Sequence, residues 1–107
     1  MQQQRYEEAE IHQAIVKEVV ALTPETWQQI LLEVRLIGYD GSIPILEYQL
    51  SSPQSRNEFV ELSDEIYDLT LKLSEIYAAR AKRWTVAAIQ ITLKPNNKIG
   101  FRTEFKY

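Results

Sequence analysis

Cysteine is absent from the 107 residues, histidine occurs once, and glycine and proline occur only three and four times. Without cysteine there is no disulfide, no thiol nucleophile and no thiolate metal site. The single histidine, His12, has no second His or Cys with which to hold a metal. Its place after Ile11 on an amphipathic segment marks it as a packing or solvated side chain. Gly38, Gly41 and Gly100 match neither G-x-G-x-x-G nor G-x-x-x-x-G-K, so no phosphate loop is expected. Ser51, Ser52 and Ser55 follow no nucleophile-elbow pattern. No apolar run approaches the roughly 20 residues that cross a bilayer, and MQQQRYEEAE lacks the apolar core of a signal peptide. The expectation is one cytoplasmic domain over 1–107, with no catalysis, metal or cofactor and no membrane partner.

What is present is an ordinary globular composition, 45% hydrophobic and 25% charged. The net charge of −3 conceals a split. Residues 1–79 hold fourteen acids against five bases, whereas 80–107 hold seven bases against the single acid Glu104. Such a split points to a charged partner, although strand surfaces and helix ends also produce one.

Periodicity orders the chain. Ile11, Ile15, Val19 and Leu22 recur at helical spacing and predict a helix over 4–22. Thr23-Pro24-Glu25-Thr26 stops it and starts a single turn before Trp27. Alternation predicts a strand over 28–37, a turn over 38–42 centred on Asp40-Gly41, and a second strand over 43–50. Pro44 has no backbone N–H to donate and belongs near a strand start or on an edge. Ser55 and Glu58 fit a capping box that opens a long helix over 56–81. Its stripe is Phe59, Leu62, Ile66, Leu69, Leu73 and Ile76. Strands over 84–93 and 99–107 follow, joined by Lys94-Pro95-Asn96-Asn97. The order α-β-β-α-β-β predicts an α+β two-layer sandwich with an antiparallel four-stranded sheet and both helices on one face.

Two features of the long helix bear on partners. Glu58, Glu61, Glu65 and Asp68 fall on one side of it, with Asp64 and Glu75 flanking, and no base interrupts 57–68. An acidic face of this kind is either solvated or waits for a basic partner. A second apolar line, Val60, Tyr67, Leu71 and Ala78, lies roughly 150° from the main stripe. Its simplest use is packing on the first helix; a homodimer through Val60, Tyr67 and Leu71 is the alternative.

Several motifs resemble the YezG-like immunity proteins. Pro24-Glu25-Thr26-Trp27 leads into an apolar strand and a Gly-rich turn, and Glu65-Ile66-Tyr67-Asp68-Leu69 sits in a long acidic helix. Arg83-Trp84-Thr85 opens a strand. Lys98-Ile99-Gly100-Phe101 with Glu104-Phe105-Lys106-Tyr107 closes the domain. The resemblance spans Ile11 to Tyr107 and implies a bacterial antitoxin, a cytoplasmic non-enzyme that neutralises a polymorphic or contact-delivered toxin domain, commonly a nuclease. Arg102 and Lys106 depart from a closing strand that tends to be acidic in that family.

A nuclease presents a basic cleft to phosphate, and an acidic surface can occupy it. The expected toxin-binding residues are therefore Glu58, Glu61, Asp64, Glu65 and Asp68, with Asp40 at the hairpin tip as an outlier. A competing expectation is a small nucleic-acid-binding module using Arg80, Lys82, Arg83, Lys94, Lys98, Arg102 and Lys106. Alternation places Phe101 and Phe105 opposite Arg102 and Lys106, which separates stacking surfaces from cations.

Overall fold

A computed structural model describes the backbone of residues 2–55 and 60–107, and the side chains of these except 2–7 and Asn97. The chain forms helix α1 (Gln2–Leu22), strands β1 (Gln29–Asp40) and β2 (Ile43–Ser51), helix α2 (Asp64–Ala79), and strands β3 (Val86–Lys94) and β4 (Lys98–Lys106). The strands make one antiparallel sheet in the order β2-β1-β3-β4. It is the expected α+β fold. Among the described residues no helix is long and apolar enough to cross a membrane.

The core lies between the sheet and the helices. Ile30, Leu32 and Val34 of β1 pair with Ile91, Ile89 and Ala87 of β3, and all six are buried. Ile15, Val16 and Val19 of α1 and Ile66, Leu69 and Leu73 of α2 close over them. Each such aliphatic side chain stabilises the fold by roughly 1.5–3 kcal/mol relative to exposure. Trp27 and Trp84 join this core, each 2% exposed, with no hydrogen-bond partner for the indole N–H among the described residues.

The outer strands decide where each helix sits. On β2, Tyr48 meets Thr70 and Tyr67 of α2. On β4, Phe101, Thr103 and Phe105 meet His12 of α1. Thus α2 rides over β2, while α1 rides over β4. Between them, Ile11 and Ala14 face Leu69 and Ile76 across a shallow groove rimmed by Glu10, Lys72 and Glu75. The two helices run antiparallel, because Glu8 near the start of α1 reaches Arg80 at the end of α2.

Thr70 is the one fully buried polar residue among those described. Its hydroxyl donates to the Ile66 and Tyr67 carbonyls at 3.0 Å, leaving its oxygen to accept from the Tyr48 hydroxyl. The satisfied bonds explain how the helix tolerates it inside.

Three expectations are corrected. The long helix begins at Asp64 instead of 56: Ser63 is extended (φ −82°, ψ 158°) and its side chain accepts from the Ile66 N–H at 3.3 Å. That cap ends helical backbone on its N-terminal side, so Val60 and Leu62 reach the core from a non-helical segment. The proposed first turn and the Ser55–Glu58 capping box involve residues 56–59, outside the described residues. Next, the 38–42 turn contracts to Gly41-Ser42, since Asp40 pairs with Ile43. Of the two turn residues only Gly41 takes positive φ (63°), the geometry of a type II′ turn, and a bulge at Ile37 realigns the strands. Finally, the second apolar line of α2 does not pack on α1. Tyr67 stacks edge-on against Tyr48 with ring centroids 4.9 Å apart, so that line looks outward over β2.

Candidate functional site

The acidic residues singled out from the sequence do not form one continuous helix face. Asp64 and Glu65 occupy the first turn of α2, and Asp68 follows one turn on. All three are exposed, and none has a salt bridge or side-chain hydrogen bond among the described residues. Part of their presence is local: carboxylates at a helix N-terminus meet the positive end of its dipole and its free N–H groups. Glu61 is exposed just before the Ser63 cap, beside these three but off the helix. Glu58 lies outside the described residues. Asp40 is exposed at the β1–β2 tip, at the far end of β2 from the segment that enters α2. A nine-residue strand spans about 30 Å, so Asp40 does not belong with the other four.

The basic residues of the last third are dispersed. Arg80 is paired with Glu8 at 2.8 Å. Arg83 lies over the Tyr39 ring, 5.6 Å from its centroid, and donates to its hydroxyl at 3.1 Å. Arg102 is held by Glu104 at 3.0 Å and Gln90 at 3.2 Å on the outer face of the sheet. None of these bases reaches the carboxylates of α2. The alternation expected of β4 holds: Phe101 and Phe105 pair with the inward Ile91 and Ala87, whereas Arg102 and Lys106 pair with Gln90 and Val86.

A second cluster was missed from the sequence. Glu8 accepts from the Tyr77 hydroxyl through one carboxylate oxygen and from Arg80 through the other. The His12 Nε2 stands 3.8 Å from Glu8, and its Nδ1 is 3.2 Å from the Thr103 hydroxyl. Phe101 stacks on one side of the imidazole and Phe105 meets it edge-on, at centroid distances of 6.5 and 6.1 Å. With the ring proton on Nε2, facing the carboxylate, Nδ1 accepts from Thr103.

The electrostatics follow from this packing. Burial alone would raise the Glu8 carboxyl, but the hydrogen bonds from Tyr77 and Arg80 outweigh it and hold Glu8 below its ordinary value. Burial pushes His12 below the usual imidazole range, with the Glu8 charge opposing. Burial and the bond to Glu8 both drive the Tyr77 hydroxyl far above the ordinary phenol. With both Glu8 oxygens engaged, the cluster clamps α1 onto α2 and β4. The sequence signal that could have found it is the Glu8–His12 spacing of four, which sets both side chains on one helix face. Nothing local marks Tyr77, Arg80 or Thr103 as their partners.

Comparison with known proteins finds no match to this chain, either among models of protein families or among curated sequences.

Proposed function

We propose that this protein is an antitoxin of the immunity type, acting in the cytoplasm without catalysis and docking a basic toxin domain on the acidic entry of α2. The observation carrying this reading is that Asp64, Glu65 and Asp68 are exposed with no cationic partner among the described residues, although the chain carries 12 bases. Four carboxylates, with Glu61, in so small a patch repel one another, and a basic cleft would relieve that cost. Such a surface raises the association rate through its field and covers the phosphate-binding residues of a nuclease. The motifs that resemble those of YezG-like immunity proteins support the same reading, with Glu65 and Asp68 inside one of them.

Asp40 is dropped from this surface because it stands at the other end of the sheet. The inhibitory patch is Glu61, Asp64, Glu65 and Asp68. The test is protection of growing cells from a toxin domain encoded next to this chain's gene. Wild type protects; Glu65→Lys with Asp68→Lys does not. Full protection by the doubly reversed protein would remove this patch from the account.

A nucleic-acid module is the competing reading. Against it, the aromatic and cationic side chains of β4 project from opposite faces of the sheet, so one strand of nucleic acid cannot use both. Salt-dependent binding of a labelled single-stranded oligonucleotide would favour that reading over inhibition.

A further inference from the structure

We propose that the free edge of β2, with the flank of α2 above it, is a two-fold interface for a second copy of this chain. The two edges of the sheet differ. In β4 the nine residues include Lys98, Arg102, Glu104 and Lys106, the kind of charge that keeps edges from pairing. In β2 the nine residues include a single charge, Glu47, and the one residue that cannot donate to a ladder, Pro44, stands at the strand start. Ile43 and Ile45 are exposed at 60% and 42% on the sheet face turned away from the helices. Among the described residues the backbone of β2 pairs only with β1.

Directly above this edge lies the apolar line of α2 that α1 does not cover. Tyr67 is 38% exposed, with Leu71 and Ala78 half-buried beyond it at helical spacing. The edge and the flank face the same side of the molecule. A lone extended peptide would pair with the edge and leave Tyr67 and Leu71 uncovered. A second copy covers both with one rotation.

Charge favours the same occupant. A two-fold axis through the middle of β2 sets the two α2 helices antiparallel. The acidic entry of one, Glu61 and Asp64, then meets the exit of the other, where Lys82 is exposed with no acidic partner among the described residues. Opposed helix dipoles act in the same sense. With Tyr48 on the axis, Leu46 lies opposite Leu50 of the second copy and Glu47 opposite its Gln49, so no like charges face each other. The covered patch is about 30 Å long and about 20 Å deep, roughly 600 Å² per copy, at the lower end of specific interfaces. In the dimer Glu61 and Asp64 face the second copy, so the part of the acidic patch left for a toxin is Glu65 and Asp68, which lie further round α2.

The test is sedimentation equilibrium of the full chain with concentration, read beside amide hydrogen exchange. At about 100 µM the wild type is expected at twice the 12.5 kDa of one chain. Leu71→Glu, with unchanged helical circular dichroism, is expected to weaken association about tenfold or more. In the wild type, exchange of β2 amides slows as concentration rises while that of β4 amides does not. A wild type that stays at 12.5 kDa at about 1 mM overturns the proposal. So does a dimer whose β2 amides exchange at the monomer's rate, a result that does not depend on any variant folding.

Discussion

The guanidinium of Arg80 donates to the carboxylate of Glu8 at 2.8 Å, joining the end of α2 to the early turns of α1 across 72 residues of chain. The same carboxylate takes the Tyr77 hydroxyl, so one acid ties down two groups from the exit of α2. Removing it leaves the nearly buried Tyr77 hydroxyl without its acceptor. Glu8→Ala is therefore expected to destabilise the protein by about 1–3 kcal/mol, read from guanidinium denaturation. A double-mutant cycle with Arg80→Met should return a coupling of about 1 kcal/mol, and a coupling near zero would show that the ion pair contributes nothing.

Acid should loosen this clamp in two stages. Burial holds His12 below its ordinary 6.5, so as the pH falls through that value the unfolded chain takes up the proton before the folded one. Stability then declines as the solution becomes more acid. Glu8, held below its ordinary 4.5, contributes stability that is present above that value and is lost as pH falls through the lower folded one. Both groups act in the same direction, His12 first. The urea midpoint should drop between about pH 7.5 and about pH 5.5, and His12→Asn should flatten that drop. An identical slope in the variant would assign the decline to other groups.

A third expectation concerns the end of α2. The N–H of Ala81 bonds the Ala78 carbonyl and that of Lys82 bonds the Tyr77 carbonyl, both at 3.0 Å, which is the Schellman arrangement. Its left-handed position is filled by Ala81 at φ 56°, where a Cβ is strained and glycine is the usual occupant. Ala81→Gly is expected to stabilise the fold by about 0.5–1 kcal/mol after the larger backbone entropy of glycine is discounted. Thermal unfolding followed by Trp27 and Trp84 fluorescence, both indoles being buried, measures it. A lower melting temperature would contradict the strain.

The fold was legible because its signals are local. Alternation along Ile30–Val34 and Phe101–Phe105, and the helical recurrence of Ile15, Val19, Ile66, Leu69 and Leu73, each specify an element and its inward face. The start of α2 is not legible in the apolar spacing, which continues through Leu62, because backbone helicity is decided by Ser63, a cap that periodicity does not see. Burial of Thr70 and Tyr77 has no local signal, because their polar groups are satisfied by Tyr48 and Glu8, partners distant in sequence. In the candidate site, Asp64, Glu65 and Asp68 stayed together because one helix carries them. Asp40 separated from them because pairing of β1 with β2 sends the tip to the opposite end.

The proposed docking role of the acidic entry of α2 is tested most directly by the rate at which this protein associates with a basic toxin domain encoded beside its gene, measured by stopped flow at two ionic strengths. At about 50 mM salt, Glu65→Lys with Asp68→Lys should associate about tenfold or more slowly than wild type. The difference should shrink at about 500 mM salt, where the Debye length falls below the spacing of the charges. Equal association rates at low salt would contradict the account and mean that these carboxylates face only water.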